Sequence, residues 1–497
     1  MLFEYISFFV ELKLTISPSS ANTLLQLDLI QNIPSDTFFL ENTYFDTDSR
    51  LLTNAGSALR IRKKGHHYVQ TLKNRGVNIG GLHRRQEWEM AISDQALNLS
   101  LFPESALPES IHSEALSPLF STNFKRRSWQ IDYRQSKIEL VFDSGEVVTD
   151  NGSDTISELE LELKSGQLAD LFDLALGLSE KIAVMPSDIS KAERGYRICQ
   201  NNYEVDVSLP DLVPEQSMES AFCALFGYEM ERLQRHWQLF WSTQQWLHLQ
   251  AFLNTLGNME AEIEWFHGML PDDHIHFVYG QLSWIQQALH PILSWWPACF
   301  ALSQDADGQP QNVALSLQQN KAKKALYALK ALQDNPELGH RMLSLTAWLH
   351  GRDWRDGQSS EHRKVADKPV TECIDYCFDK ALNSLQSACF AGSASNALSQ
   401  SPAVRRLLTL CQYFDRLYGR QLGSIKAPLQ ALNDNLSRLS AIDVVMHLKD
   451  WLNELPFEQQ ASVHSWTRSS TVLLRDIKYL ANRLIANSRQ PLTGGHV

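Results

Sequence analysis

The chain has 497 residues, more than one hydrophobic core usually supports, so at least two domains are expected. Its 43% hydrophobic and 21% charged residues are typical of a globular protein, and no run approaches the roughly 20 apolar residues that span a bilayer. The formal net charge of −12 argues against a nucleic-acid-binding protein, because such proteins usually carry a basic surplus.

The N-terminus and the cysteines indicate a cytoplasmic protein. The apolar start, MLFEYISFFVELKL, has no cationic beginning and reaches Glu11 and Lys13 within a few residues, unlike a signal peptide. The 7 cysteines are odd in number and scattered, and none form a C-x-x-C pair. This usage fits reduced thiols and argues against a disulfide framework or a zinc ribbon.

Period-2 alternation predicts about eight β-strands near the start of the chain. They fall at about residues 8–14, 38–46, 57–64, 67–74, 84–92, 124–133, 136–143 and 156–164. A helical stretch near 167–179 follows, and two prolines with few apolar repeats predict a linker at 201–217. Apolar residues then recur at helical spacing, which predicts an all-helical domain over 218–490.

Several of these strands carry charges at every second position. Glu158, Glu160 and Glu162 share one face of ELELEL, and leucines occupy the other face. The other charged residues in such alternation are Arg60, Arg62, Arg85, Glu87, Glu89, Lys137, Glu139 and Asp143. A solvated, salt-bridged sheet face would give the same pattern. A closed antiparallel barrel with helices over its apolar face would instead turn these charges into a lumen.

A lumen of this kind suits a complex of metal and polyphosphate. Neighbouring carboxylates repel one another unless something neutralises them, and hard divalent cations such as Mg²⁺ or Mn²⁺ do so through oxygen ligands. Arginine and lysine beside them match a polyanion, since arginine can bind phosphate oxygens bidentately. The pattern therefore favours a phosphate- and metal-binding tunnel.

The order and spacing of the motifs resemble the triphosphate tunnel metalloenzymes, the CYTH-domain family. The matching blocks are Glu11-Leu-Lys13, Arg60 and Arg62 in LRIRKK, Lys73 in QTLK, Glu87 and Glu89 in RRQEWEM, Phe124 and Arg126 in FKR, Asp143 in FDSG, the ELELEL strand and Lys191 in SKAERGY. The resemblance covers about residues 1–200. It implies an α+β protein in which an eight-stranded antiparallel tunnel barrel with flanking helices precedes an all-α helical bundle. Within that family the chain resembles the bacterial inorganic triphosphatases, in which a CHAD domain follows the tunnel.

The resemblance also implies an activity and a set of site residues. The activity is metal-dependent hydrolysis of inorganic triphosphate, or another small polyphosphate, with Mg²⁺ or Mn²⁺ as cofactor. The implied substrate-binding residues are Arg60, Arg62, Lys73, Arg126 and Lys191. The implied metal ligands are Glu11, Asp143, Glu158, Glu160 and Glu162, and the implied catalytic residues are Lys13, Glu87 and Glu89.

One position departs from the family pattern. The first glutamate of the family's E-x-E-x-K motif falls at Phe9, which shares a strand face with Glu11 and Lys13. An apolar ring would then replace a carboxylate in the lumen. Glu4 has the wrong parity to substitute without a bulge. We hypothesise that Phe9 depresses activity or shifts the metal preference.

The helical region resembles a diverged CHAD domain, a bundle whose basic residues bind polyphosphate. Asn254, Asn258 and Glu260 stand where the family carries arginines, so much of that affinity is expected to be lost. Two other functions stay open. The chain could be an inactive phosphate- or polyphosphate-binding scaffold, or another tunnel enzyme, such as a thiamine triphosphatase or a class IV adenylate cyclase.

Overall fold

A computed structural model describes residues 7–487 except 75, 109–110, 112–114, 206, 305–308, 386 and 391. The chain forms two compact units. The first comprises Met1–Val207, Met230–Gln245 and Gln333–Arg352, and the second comprises Ser208–Glu229, Trp246–Leu332 and Asp353–Val497. Two helical stretches beyond residue 218 thus belong to the first unit. The division into consecutive domains at 1–200, 201–217 and 218–490 stays a prediction.

The first unit is built on an antiparallel sheet with ten strands among the described residues. The strands are β1 (Ser7–Ile16), β2 (Ser35–Asp46), β3 (Ala58–Lys64), β4 (His67–Lys73), β5 (Val77–Ile79), β6 (Leu82–Ile92), β7 (Ser117–Tyr133), β8 (Ser136–Thr149), β9 (Gly152–Ser165) and β10 (Val184–Pro186). Eight of them form a ring in the order β1-β9-β8-β7-β2-β3-β4-β6, and β6 pairs back to β1. These eight are the strands predicted from the sequence, and the predicted antiparallel barrel is confirmed.

The register of β1 shows how the ring closes. Within β1, Glu11 lies opposite Glu162 of β9 and opposite His83 of β6. The short strands β5 and β10 pair with β6 and β1, outside the ring. Strand β7 begins at Ser117, several residues before the predicted start, because its residues 117–129 pair with the whole of β2.

The leucines that alternate with the charges form the core outside the barrel. Leu159 and Leu161 of β9 are fully buried and belong to a cluster with Leu171 and Leu174. Those two residues lie in a helix, Leu168–Ser179, that covers this face of the sheet. Burial of each such side chain contributes about 1.5–3 kcal/mol, so the apolar face turns outward under the helix and the charged face turns inward.

Helices complete the first unit. They are α1 (Pro18–Leu24), α2 (Asp28–Gln31), α3 (Leu51–Asn54), α4 (Leu168–Ser179) and α5 (Lys191–Gln200), the C-terminal part of α6 (Met218–Thr243), and a later helix, Pro336–Gly351. No helix in the described part of the chain is long and apolar enough to cross a membrane.

The second unit is helical, as the sequence predicts. Its helices follow α6 in the order α7 (Trp246–Trp265), α8 (Asp272–Leu293), α9 (Trp296–Ser303), α10 (Gln309–Gln333), then, after α11 (Pro336–Gly351) of the first unit, α12 (Ser360–Ala366), α13 (Val370–Ser384), α14 (Ser387–Phe390), α15 (Ala394–Leu398), α16 (Ser401–Tyr413), α17 (Asp415–His447), α18 (Lys449–Glu454), α19 (Phe457–Arg468) and α20 (Ser470–Asn487). Trp246, Trp265, Trp354 and Trp451 are buried between these helices. Large indoles filling a helical core account for the tryptophan-rich composition.

Candidate functional site

The barrel encloses a charged cavity of about 510 Å³. The predicted site residues that line it are Glu11, Lys13, Arg60, Arg62, Lys73, Glu87, Glu89, Arg126, Glu160, Glu162 and Lys191. The two remaining predicted residues, Asp143 and Glu158, are fully buried and do not line it. The structure thus brings the predicted set together, with two carboxylates set into the barrel wall.

Lys191, the first residue of α5, joins three carboxylates. Its Nζ donates to Glu158 Oε2 at 2.6 Å and to Glu160 Oε1 at 2.8 Å, and it lies 2.8 Å from Asp143 Oδ2. The Ser190 side chain caps α5 and so fixes where Lys191 starts the helix. Burial opposes the charge, yet the three carboxylates raise the pKa of Lys191 above its ordinary value.

Arg126 of β7 forms the second half of this network. Its Nε and Nη2 bind Asp143 bidentately at 2.8 and 2.7 Å, and Nη2 also donates to Glu160 at 2.7 Å. Burial would raise the pKa of Glu160, but Lys191 and Arg126 hold it well below its ordinary value. Glu160 is therefore ionised and fixed at neutral pH.

Arginines of β3 supply positive charge that the nearby carboxylates do not balance. The Arg60 guanidinium lies 3.9 Å from Glu89, and Arg62 Nε donates to the neutral Asn42 side chain at 2.7 Å. Burial, followed by the charges of Arg60 and Arg126, lowers the pKa of Arg62 to about 9. A bound anion would relieve this repulsion, so this part of the cavity suits an anion.

Lysines on two other strands also contribute charge. Lys73 Nζ donates to Glu87 Oε1 at 2.5 Å. Lys13 Nζ lies 3.4 Å from Glu11 and 3.7 Å from Glu160. Lysine offers a point charge with three donors and can bind a phosphate oxygen while retaining a carboxylate partner.

An acidic group lies along β1, β8 and β9. The pKa of Glu162 is raised by burial and by the neighbouring carboxylates of Glu11 and Glu139, although Lys164 opposes the shift. Lys164 Nζ lies 2.7 Å from Glu162 and 2.8 Å from Glu139. Lys164 was not among the predicted site residues, although it shares the strand parity of Glu158, Glu160 and Glu162 and so falls on the charged face.

Three further arginines, one behind the cavity wall and two lining the cavity, were not among the predicted site residues. Arg194, three residues after Lys191 in α5, donates to Glu158 at 2.5 Å, and the SKAERGY motif contains it. Arg197 and Arg235 line the cavity, and both bind Glu193, at 2.7 and 2.5 Å. Arg235 lies in α6, within the predicted helical domain, so nothing in its local sequence indicated the tunnel.

Asp188 is a further buried group beside the cavity. Its carboxylate accepts hydrogen bonds from the backbone N–H groups of Gly81 at 2.7 Å and Gly80 at 3.2 Å. Burial, reinforced by Glu231, raises the pKa of Asp188 from 3.8 to about 7, although the two N–H donors and Arg235 oppose the shift.

We expect Asp188→Asn to change how stability depends on pH. A carboxyl whose pKa is raised in the folded state stabilises the fold most below its unfolded pKa, and that contribution is lost as pH rises through about 7. The difference in melting temperature, variant minus wild type, should therefore increase between pH 5 and pH 8. Differential scanning fluorimetry would measure it, with the exposed Asp132→Asn as control. Parallel pH curves for wild type and Asp188→Asn would contradict the expectation.

The cavity offers oxygen donors that a metal ion could use. Among the described residues, no group of three or more His, Cys, Asp or Glu side chains is arranged to hold a metal ion. The lining carboxylates of Glu11, Glu160 and Glu162 offer the oxygen donors that hard divalent cations prefer. Burial raises the pKa of Glu162, and the charges of Glu11 and Glu139 add a smaller repulsion that a cation would relieve.

Comparisons with known proteins find similar sequences and structures. Residues 9–196 match the CYTH domain. An inorganic triphosphatase of Haemophilus influenzae is 34% identical over 268 residues, which cover 52% of this chain and 75% of that protein. A Hippeastrum structure, described as a putative adenylyl cyclase with a dominant triphosphatase activity, is 22% identical with a TM-score of 0.31, covering 39% of this chain and 95% of that one. A CHAD domain from Ricinus communis is 18% identical with a TM-score of 0.41, covering 58% of this chain and 96% of that one.

Proposed function

The chain belongs to the CYTH-domain family, and we propose that its tunnel hydrolyses inorganic triphosphate to diphosphate and phosphate with the help of Mg²⁺ or Mn²⁺. One observation carries the proposal. Arg60, Arg62 and Arg126 bring positive charge to the same cavity, and the pKa of Arg62 is lowered to about 9 by burial and, after that, by the charges of Arg60 and Arg126. A compact polyanion neutralises that charge, and the named activity of the Haemophilus influenzae relative agrees with triphosphate.

The chain's own residues would act mainly by position and charge. Phosphoryl transfer requires little covalent chemistry from a protein, so binding and electrostatic stabilisation provide most of the catalysis. In this proposal Arg60, Arg62 and Lys73 bind the phosphate oxygens. Arg126 and Lys191 add charge from the wall, where their carboxylate partners fix their positions.

The buried carboxylates have a different role in this proposal from the metal ligation that the resemblance implies. Asp143 and Glu158 are fully buried and engaged by Arg126, Lys191 and Arg194. We infer that they hold these cations in place and do not ligate the metal.

The lining carboxylates Glu11, Glu160 and Glu162, which form no preassembled ligand cluster among the described residues, would supply the oxygen ligands of a divalent cation. When bound, it would neutralise phosphate charge and lower the pKa of a water nucleophile. In this proposal Lys13, Glu87 and Glu89 take the catalytic roles that the resemblance implies, and their place in the lining of the same cavity supports this.

Phosphate release from three substrates tests the proposal. Triphosphate, ATP and thiamine triphosphate would each be incubated with the full chain and Mg²⁺ or Mn²⁺, and again with excess EDTA. Release from triphosphate that EDTA abolishes, with little release from the other two, would support the proposal. Preference for thiamine triphosphate would indicate a thiamine triphosphatase. Triphosphate binding in calorimetry without any release would support the inactive scaffold.

The presence of Phe9 in place of a glutamate favours the alternative function, an inactive phosphate-binding scaffold. Phe9 lies in β1, two residues before Glu11 and opposite Arg85 of β6, and its side chain is outside the described residues. We expect Phe9→Glu to raise turnover several-fold, because it restores the family's first carboxylate on the face shared with Glu11. Steady-state phosphate release at saturating triphosphate would measure the effect, with Phe9→Gln as the uncharged control. An unchanged rate in Phe9→Glu would contradict the hypothesis that Phe9 depresses activity.

We further propose that the helical region is a diverged CHAD domain with little remaining polyphosphate affinity. Asn254, Asn258 and Glu260 carry no positive charge at the positions where the family has arginines. The cytoplasmic location and the absence of nucleic-acid or membrane partners remain expectations from the sequence.

A further inference from the structure

Helix α11 (Pro336–Gly351) presents one face to the tunnel unit. Gly339, Leu343, Thr346 and His350 are spaced by four, three and four residues, which places them along one side of the helix. An added Cβ on Gly339 would lie 1.5 Å from the carbonyl oxygen of Val184, so the helix approaches β10 as closely as a backbone can. Leu343 belongs to the core cluster that covers the barrel.

The other two residues on this face bind the turn between β5 and β6. Thr346 Oγ1 lies 3.1 Å from the carbonyl of Gly80 and 3.1 Å from that of Met342 one turn earlier, and these two carbonyls share its single hydrogen. His350 Nε2 lies 2.9 Å from the carbonyl of Ile79. A carbonyl only accepts, so Nε2 carries the proton, and burial lowers the pKa of His350 and keeps the ring neutral.

The same turn is held from a second side and is bonded to the tunnel strand. Asp188 accepts the N–H groups of Gly80 and Gly81. The Gly81 carbonyl in turn accepts the Lys13 N–H at 2.8 Å. Both glycines have positive φ, 68° and 87°, and a Cβ on Gly81 would lie 2.8 Å from the Lys13 carbonyl. The turn therefore has one conformation that fits, and that conformation fixes the backbone of Lys13.

We propose that Thr346 and His350 of α11 are positioning residues of the tunnel, which act through the Ile79–Gly81 turn to set the place of Lys13. The Lys13 side chain lies between Glu11 and Glu160, so a shift of its backbone changes the geometry of both carboxylates. A helix more than 300 residues after β1 in the sequence thereby controls the charged face of β1. The kinetic consequence rests on the proposed function, whereas the structural link from α11 to Lys13 does not.

The test compares Thr346→Val with two matched variants in the full chain. Thr346→Val removes the hydroxyl but keeps the shape of the side chain, and Thr346→Ser restores the donor. Thr243→Val is the control, because Thr243 makes the same bond to the carbonyl four residues earlier, at 2.7 Å to Leu239, as Thr346 makes to Met342. His350→Phe is a second variant that removes the other donor and keeps an aromatic ring beside Phe172.

Two readouts separate this proposal from the proposed function. Hydrogen exchange, followed by mass spectrometry, reports the protection of the Lys13 amide without any need for activity. Leaving a buried carbonyl without its donor should speed exchange in the β1 peptide about ten-fold in Thr346→Val and His350→Phe. Thr346→Ser and Thr243→Val should match wild type, and peptides from α16 should exchange alike in all five proteins, which shows that the variants fold.

The second readout is triphosphate hydrolysis. We expect kcat to fall about ten-fold in the two variants that lack a donor, with a smaller change in KM, because the arginines of β3 are untouched. Unchanged exchange and unchanged kcat in both variants would overturn the proposal. Absence of hydrolysis in wild type, with faster exchange in the variants, would overturn the proposed function and leave the positioning role of α11 intact.

Discussion

Glu160→Gln should reduce triphosphate hydrolysis by on the order of 100-fold or more while leaving triphosphate bound. Glu160 lines the cavity and is the carboxylate on which the tunnel cations converge: Arg126 donates to it at 2.7 Å, Lys191 at 2.8 Å, and Lys13 lies 3.7 Å away. The amide keeps the size of the side chain but removes the negative charge. The cations then lose their shared partner, and the proposed cation loses a ligand.

The charge change predicts opposite effects on binding and turnover. Removing one carboxylate makes the cavity more positive, so the Kd for triphosphate, measured by calorimetry without metal, should stay the same or fall. The kcat should fall, and the metal concentration needed for half-maximal rate should rise. Such a split indicates an interaction used in the transition state rather than in ground-state binding.

Glu41→Gln is the matched control for this substitution. Glu41 lies in β2 and is partly exposed, and its carboxylate pairs with Lys63 at 2.6 Å outside the cavity lining. Such exposed pairs contribute about 0–1 kcal/mol, so activity should be unchanged. Equal losses in Glu160→Gln and Glu41→Gln, or undiminished hydrolysis in Glu160→Gln, would contradict the role given to Glu160.

Strand alternation explains why most of the barrel could be predicted. A period of two assigns every residue of a strand to one of two faces, so Glu158, Glu160 and Glu162 had to point the same way once β9 was recognised. The leucines between them could only be buried on the opposite face. Charges at alternate positions in successive strands are compatible with either a closed barrel or a solvated sheet. The pairing of β6 with β1 shows that the strands form a closed barrel.

Sequence spacing carries no information about contacts made far along the chain. Arg235 reaches Glu193 across 42 residues, and Thr346 reaches Gly80 across 266. Local pattern assigns both residues to amphipathic helices, which is correct, but it does not say which unit a helix face covers. Strands β5 and β10 were missed for a related reason, since three residues are too few to show alternation.

The alternation of charged and apolar residues also does not predict which carboxylates face the cavity and which lie in its wall. Asp143 and Glu158 share parity with their neighbours, yet both are fully buried. Their burial depends on α5, whose first residue, Lys191, inserts between them. The burial of a charged residue on a strand therefore depends on a helix that follows the strand in the sequence and packs against it.

Lys191→Met should destabilise the tunnel unit by about 3–5 kcal/mol at neutral pH, because it leaves buried carboxylates without their shared cation. The loss should depend on pH. In wild type, Lys191 opposes the effect of burial and holds the pKa of Glu158 and Glu160 below 4.5, so this stabilisation is present above that pH and is lost as pH falls. Without Lys191, burial raises both pKa values, and the variant regains stability as the carboxylates bind protons.

The melting temperatures of wild type and Lys191→Met should therefore differ most near pH 8 and converge toward pH 5. Arg126 and Arg194 still bind these carboxylates, which limits the effect and lets the variant fold. Differential scanning fluorimetry across pH 5–8 would measure it, with Lys181→Met, at an exposed lysine after α4, as control. A constant difference across this range would mean that Lys191 acts through packing rather than charge. The carboxylates in the barrel wall would then not owe their ionised state to Lys191.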